Sequence, residues 1–169
     1  TRRRIGRHRW AYLREMWNMS RDGFKQLYDL LPGDKPPFDD VWKWTGGNPK
    51  ALESVYAVGL DSAVEKLILE RGLRGFVNEL SEVERQVLTA ALEDPDVLLE
   101  EIRKVKPMIE KLVELNLVVE MFELRKLEFW VDQPPPERDP EIGVGKYYAW
   151  QTPLHREAVR RALWAEARR

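Results

Sequence analysis

The residues best suited to chemistry in this chain form the segment Thr45-Gly46-Gly47-Asn48-Pro49-Lys50. The glycines permit a close backbone approach, and Asn48 is a preferred N-cap residue. Pro49 suits the first helical position, where its missing N–H would be unsatisfied anyway. The pattern predicts a helix start with free N–H groups, a positive dipole end and an adjacent ammonium, which together attract phosphate. We therefore expect this turn to present its amides outward to an anion.

Composition excludes several other kinds of site. The 169 residues include no cysteine, which excludes disulfides, thiolate nucleophiles and thiolate zinc sites. The two histidines, His8 and His155, lack a metal-binding partner at ligand spacing, so structural or exposed positions are expected for both. No apolar run reaches the length of a membrane span and no signal peptide is visible. We therefore expect a cytoplasmic protein without a membrane partner.

Charge is unevenly distributed along the chain, although the net charge is only −1. Residues 1–25 contain eight cations and two acids, whereas residues 79–101 contain eight acids and one cation. The near-zero total gives no general attraction to nucleic acid. The uneven distribution instead suits surfaces that dock on each other or on a protein partner.

The elements that must position the glycine segment are mostly helices with strong start signals. Ser20, Asn48-Pro49, the Ser81-Glu82-Val83-Glu84 capping box, Asp94-Pro95 and Thr152-Pro153 each mark a helix start. Gly59 and Asp61 mark the end of one helix and the cap of the next, and Gly72 and Gly75 predict a break. The predicted helices cover residues 9–17, 20–31, 38–44, 49–58, 61–71, 81–92, 94–105 and 106–116, with another from 153 onward.

Strand-like residues follow Asn116. Residues 117–122 are rich in β-branched and aromatic types, and residues 127–131 alternate, with Trp130 expected to be exposed opposite Phe129. A loop rich in proline and glycine covers residues 133–145, and residues 146–151 form the returning strand. Three helices, a β-hairpin and a closing helix are in the order of a winged helix-turn-helix. The predicted fold class is mainly α with a small β-hairpin (α+β).

Four segments together resemble the C-terminal portion of archaeal P-loop ATPases of the STAND/AAA+ type. They are Ile5-Gly6-Arg7-His8-Arg9-Trp10, Met16-Trp17-Asn18-Met19-Ser20 with the following Gly23-Phe24 and Leu27-Tyr28, Thr45 through Leu52, and Tyr147 through Leu154. The sequence contains no GxxxxGK[ST] loop and no acidic strand end to polarise water. By this resemblance the chain is part of an ATPase whose P-loop core lies in the same longer chain or in a separate one.

The resemblance implies roles for particular residues. Residues 1–80 would be the end of the core and a helical lid-like domain, and residues 81–169 a winged helix-turn-helix. Arg7 and Lys50 would sense the terminal phosphate of ATP, while Gly46, Gly47 and Asn48 would shape the helix start beside the nucleotide. ATP and Mg²⁺ are expected only with the full-length ATPase, so this chain alone should not hydrolyse ATP. The lid would relay the nucleotide state to a partner.

Other interpretations of the same residues remain open. The glycine segment also fits an ordinary capped helix, and the lid also fits a structural clamp without partners of its own. The winged helix raises a DNA-binding regulator as the alternative function. Its candidate contacts to DNA or to a protein partner are Arg103, Lys104, Lys106, Lys111, Arg125 and Lys126. Because Glu110 and Glu114 lie on the same helix and repel phosphate, we place a protein partner ahead of DNA.

Overall fold

Helices make up most of the computed structural model, which describes residues 15–121, 125–131 and 133–166. Short strands accompany nine α-helices in this part of the chain, which confirms the predicted fold class. The helices are α1 (Arg21–Asp29), α2 (Phe38–Thr45), α3 (Pro49–Val58), α4 (Leu60–Glu70), α5 (Leu73–Asn78), α6 (Glu82–Ala91), α7 (Val97–Glu100), α8 (Ile102–Glu114) and α9 (Pro153–Glu166). The strands are β1 (Glu15–Met16), β2 (Val118–Glu120), β3 (Trp130–Val131) and β4 (Tyr148–Trp150), and a 3₁₀ turn covers Leu127–Phe129.

The helix starts with a capping residue agree best with the predictions. Ser20 accepts a hydrogen bond from the Gly23 N–H, and Ser81 forms the full capping box with Glu84. Asn48 caps α3, with Pro49 as its first residue. These side chains satisfy backbone donors that the first turn leaves without a partner. Gly72 has a left-handed conformation between α4 and α5, which confirms the predicted break.

Two predicted helix starts are wrong. Asp94 does not begin a helix, because its carboxylate accepts from the Asp96 N–H in a turn and α7 starts only at Val97. Asp61 does not cap α4, because Gly59 joins α3 directly to α4 and leaves Asp61 inside the first turn. Local turn chemistry thus replaced the predicted cap at both places.

The predicted break between residues 105 and 106 is present as a kink inside α8. Two helical stretches meet there, with non-helical torsion angles at Val105 (φ −125°, ψ 20°) two residues before Pro107. Proline lacks an N–H and hinders the preceding helical turn, which bends the helix. A further break at Glu101 separates α7 from α8, so the predicted single helix 94–105 is wrong.

The strands pair differently from the prediction. Strand β2 pairs antiparallel with β4, with Val119 opposite Ala149, so the hairpin is formed by Val118–Glu120 and Tyr148–Trp150. Strand β3 instead pairs in parallel with β1. Glu15–Met16 therefore corrects the end of the predicted helix 9–17, whose earlier residues lie outside the described part of the chain. Trp130 is only 2% exposed and contacts Trp17 edge-on, so its expected exposure is wrong.

One carboxylate accepts several hydrogen bonds from the backbone at the start of β4. Asp96, just before α7, accepts hydrogen bonds from the backbone N–H groups of Lys146, Tyr147 and Tyr148 at 2.7–3.1 Å. Charged acceptors make strong hydrogen bonds to backbone donors. A Cβ at Gly145 would lie 2.5 Å from this carboxylate, so glycine is required there. The first residues of β4 are thus fixed to the turn before α7.

In the part of the chain that the structure describes, two hydrophobic clusters form the core, and each contains residues from both sides of position 80. The larger cluster extends from Ala51 in α3 to Leu163 in α9, and the smaller one joins Phe24 to Trp130 and Ala149. Helix α9 packs against α4 and α5 as well as α6. The division into residues 1–80 and 81–169 stays a prediction, but packing is continuous across that position.

Candidate functional site

The glycine turn between α2 and α3 is folded tightly onto the rest of the chain. Gly46 and Gly47 are buried, with φ angles of 59° and 80°. A Cβ on Gly46 would lie 2.8 Å from Cδ of Pro153, and one on Gly47 would lie 2.4 Å from the carbonyl oxygen of Met19. Both glycines are therefore required for close approach between segments of this chain.

Two asparagine side chains join the turn to distant segments. The Asn48 Nδ2 group donates to Asn18 Oδ1 at 2.7 Å, and Asn18 Nδ2 donates to the carbonyl oxygen of Gln151 at 3.2 Å. Beside them, the Met19 N–H donates to the Gly47 carbonyl at 3.0 Å. We call Asn18, Asn48 and the Gln151 carbonyl the asparagine junction. It connects the segment before α1, the start of α3 and the segment between β4 and α9.

The expectation that the turn presents its amides outward is wrong for three of its N–H groups. The Gly46 N–H donates to the Trp42 carbonyl, the Asn48 N–H donates to the Thr45 carbonyl, and Pro49 has no N–H. The Ala51 N–H donates to Asn48 Oδ1 at 2.9 Å. Among the residues described, the N–H groups of Gly47 and Lys50 have no acceptor. Three of the amides at this turn are thus used within the chain, and two are not.

Lys50 carries the positive charge at this helix start into solvent. Its side chain is 80% exposed, and its Nζ lies 2.6 Å from Oε2 of Glu53. The hydrogen bond from Lys50, followed by its charge, lowers the pKa of the exposed Glu53 carboxyl. Exposed ion pairs of this kind contribute little to stability and are easily exchanged. Lys50 can therefore leave Glu53 for a stronger anion at low cost.

His155 lies near the junction in the first turn of α9. Its Nδ1 pairs with the Thr152 hydroxyl at 2.8 Å, and the His155 N–H donates to the same oxygen at 3.3 Å. Burial, and secondarily the charge of Arg71, lowers the pKa of His155 to about 4. His155 therefore has the structural role expected from the sequence. Its imidazole is neutral at physiological pH.

Sequence reasoning missed Asn18 and Gln151 as members of the site. Asn18 is only 7% exposed and lies between the apolar residues Trp17 and Met19. An amide between apolar neighbours is a weak sign of a buried hydrogen bond, because buried polar groups must be paired. Gln151 contributes a backbone oxygen, for which its side-chain type gives no signal. Arg7, the other predicted phosphate sensor, lies outside the described residues.

The candidate contacts for DNA or a protein partner differ in exposure and in the bonds that they already form within the chain. Arg103, Lys106 and Lys126 are exposed. Lys104 pairs with Glu101 and Lys111 with Glu114. Arg125 donates to the carbonyls of Pro136, Gly145 and Lys146, and burial lowers its pKa, so it holds the loop before β4.

The described residues offer little support for other kinds of site. Within the described ranges, no group of three or more acidic, histidine or cysteine side chains is arranged to hold a metal ion. No helix in those same ranges has the length and apolar character needed to cross a membrane. An open groove of about 480 Å³ lies beside the junction, and its lining includes Asn18, Met16 and Val131.

One comparison with known proteins gave a match. Residues 1–55 match the model of a family described as an ATPase domain predominantly from Archaea. This segment is similar to that ATPase family. The match covers about a third of the 169 residues, including Asn18, the glycine turn and Asn48, and it ends inside α3. No curated protein and no solved structure matches the chain.

Proposed function

We propose that this chain is the C-terminal lid and winged-helix portion of a STAND/AAA+-type ATPase. It senses ATP bound by a P-loop core and relays that state to a partner. The observation that carries the proposal is the family match, which covers the glycine turn and the capped start of α3. The elements after residue 81 support it, because α6, α7, α8, the β2–β4 hairpin and α9 occur in the order of a winged helix.

The lid contributes positive charge in this proposal. Lys50 reaches the terminal phosphate, and Arg7 is a second sensor assigned by resemblance. Transfer of a phosphoryl group spreads negative charge over several oxygens, which a nearby cation stabilises. Gly46, Gly47 and Asn48 hold the start of α3 in place through their contacts with Met19, Pro153 and Asn18. The core supplies the P-loop, which grips ATP and Mg²⁺.

The continuous packing across position 80 supports the proposed relay. Because α9 packs against α4, α5 and α6, a lid drawn toward nucleotide carries the winged helix with it. Bound ATP then favours the closed arrangement through differential contacts. A protein is the favoured partner, because exposed acids on α8 oppose a DNA backbone and Arg125 is already used by the chain's own carbonyls.

The test compares two lysines on neighbouring helices in an ATPase that joins this chain to its P-loop core. Lys50→Ala should weaken ATP binding about tenfold or more, since a hydrogen bond to a charged group is worth roughly 1.5–3 kcal/mol. Lys66→Ala is the matched control, because Lys66 also forms an exposed intrahelical pair, with Glu70. Isothermal titration with a slowly hydrolysed ATP analogue measures both.

Two results would contradict the proposal. One is equal ATP affinity of the Lys50→Ala and Lys66→Ala proteins. The other is tight, magnesium-dependent binding of a fluorescent ATP analogue by this chain alone, which would mean that the nucleotide grip lies within these residues.

A further inference from the structure

We infer that the asparagine junction couples the start of α3 to the start of α9 and acts together with the packing of α9 when the lid moves the winged helix. The coupling itself is a property of this chain. Its use in signalling rests on the proposed ATP-sensing function.

The path is short and continuous. It runs from Asn48, the N-cap of α3, through the Asn18 side chain to the Gln151 carbonyl at 2.7 and 3.2 Å. Helix α9 begins two residues later at Pro153. The end of α2 also lies against the start of α9, because Gly46, the C-cap of α2 two residues before Asn48, leaves no room for a Cβ beside the Pro153 ring. A displacement of the first turn of α3 is therefore applied to the first turn of α9.

Burial makes this path costly to break. Asn18 is 7% exposed, and each end of its amide is used, Oδ1 by Asn48 and Nδ2 by Gln151. If Asn48 moves away, Asn18 must leave a polar atom unpaired or rotate and lose its second bond. Unpaired buried groups cost more than an exposed hydrogen bond contributes. The two contacts are thus expected to form and break together.

The location of the junction connects it with both ends of the proposed relay. Lys50 lies two residues after Asn48, so a phosphate that engages Lys50 acts on the turn that Asn48 caps. At the other end, α9 packs against α4, α5 and α6. Such a contiguous set of contacts can carry coupling between distant sites, provided that its members change together.

Hydrogen exchange of the full chain tests the inference without any nucleotide. Asn48→Ser keeps an N-cap oxygen for α3 but removes the amide that donates to Asn18. Asn48→Ala removes both the cap and the amide. Asn18→Ala removes the junction and leaves the Asn48 cap in place. Ser20→Ala is the matched control, because it removes the nearby cap of α1 without touching the junction.

The expected result is selective. Asn48→Ser and Asn18→Ala should each raise amide exchange at Gln151, His155 and Arg156 roughly two- to tenfold, the effect of losing one net hydrogen bond. Amides inside α3 should stay at wild-type rates in Asn48→Ser and exchange faster in Asn48→Ala. The double variant Asn18→Ala/Asn48→Ser should exchange no faster at residues 151–156 than Asn18→Ala alone. Ser20→Ala should change α1 only.

Three outcomes would overturn the inference. They are wild-type exchange at residues 151–156 in Asn48→Ser, a uniform rise over every helix, and additive effects in the double variant. Since no nucleotide is present, these outcomes are independent of the Lys50 titration. Selective exchange together with unaltered ATP binding in Lys50→Ala would keep the coupling and reject the ATP sensor.

Discussion

Two hydrogen bonds of the Asn48 side chain explain why asparagine stands at position 48. Its Oδ1 caps α3 through the Ala51 N–H, while its Nδ2 donates to Asn18. Serine, threonine and aspartate also cap helices with a side-chain oxygen, but they have no side-chain N–H donor beside that oxygen as an amide does. Asparagine is the N-cap type that meets both needs. Asparagine at position 48 thus makes a tertiary contact in addition to capping a helix.

His155 gives the molecule a defined acid sensitivity. Burial lowers its pKa to about 4 in the folded protein, below its ordinary value of 6.5, so the unfolded chain takes up the proton first as pH falls. Stability should therefore be unaffected by this group above pH 6.5 and should decrease between pH 6.5 and 4. By pH 5 the loss is about 2 kcal/mol. Urea unfolding at pH 7 and pH 5 measures it.

The comparison for His155 is the His155→Gln variant, which cannot titrate in this range. Its stability should decrease less than that of the wild type between pH 7 and pH 5, by about the same 2 kcal/mol. Equal losses in the two proteins would show that His155 is not buried in its neutral form.

At the level of single residues, sequence could predict only the local half of the site. The types and spacing around Asn48 predict its cap, since cap partners lie within three residues. The bond to Asn18 joins residues 30 apart, and the next bond ends on a backbone oxygen 133 residues from Asn18. No residue type encodes such a partner. The prediction of outward amides failed for a different reason, because the N–H groups of Gly46, Asn48 and Ala51 bond to acceptors within four residues of each donor.

At the level of elements, Gly46 and Gly72 have the same backbone conformation but different surroundings. Substituting each of them therefore distinguishes the cost of backbone strain from the cost of close packing. Gly46 has φ 59° and ψ 31°, and Gly72 has φ 61° and ψ 32°. A Cβ on Gly72 meets nothing within 4 Å, whereas one on Gly46 meets the Pro153 ring at 2.8 Å. Gly72→Ala should cost roughly 1–2 kcal/mol from the left-handed conformation. Gly46→Ala should cost a further 1–3 kcal/mol from overpacking.

Denaturant unfolding of the Gly46→Ala and Gly72→Ala proteins gives the comparison directly. If both substitutions cost the same free energy, the contact between the glycine turn and α9 contributes nothing, and Gly46 would serve only to end α2. A larger loss for Gly46→Ala means that α2 and α9 meet at a contact that tolerates no Cβ.

Elements with local signals were predictable, and elements defined by partners were not. The capping box at Ser81 and the cap at Ser20 involve neighbours three residues away, so their residue types suffice. Strand β3 consists of Trp130 and Val131, and its partner β1 lies more than a hundred residues earlier. Alternation predicts a strand but not the strand with which it pairs. That long-range pairing is what buries Trp130.

At the level of the whole molecule, composition and helix signals sufficed to predict the fold class. They could not show how the two predicted units join. Helices α4 and α5 precede residue 80, yet their apolar faces pack against α9 at the end of the chain. A pattern of apolar residues shows that a helix has a buried face, but it does not identify the helix that covers it. This packing predicts that the parts before and after residue 80 do not fold independently.

Cutting the chain at residue 80 should remove the fold of both pieces. Residues 1–80 would expose the apolar faces of α3, α4 and α5, and residues 81–169 would expose that of α9, because these surfaces form one cluster in the intact chain. Neither fragment alone should show a cooperative thermal transition in circular dichroism, whereas an equimolar mixture should regain one. The intact chain is the reference, and its transitions by circular dichroism and tryptophan fluorescence should coincide.

A cooperative transition in either isolated fragment would instead support two independent domains. In that case the lid could close without carrying the winged helix, and the asparagine junction would be a contact between domains rather than part of a single folded unit.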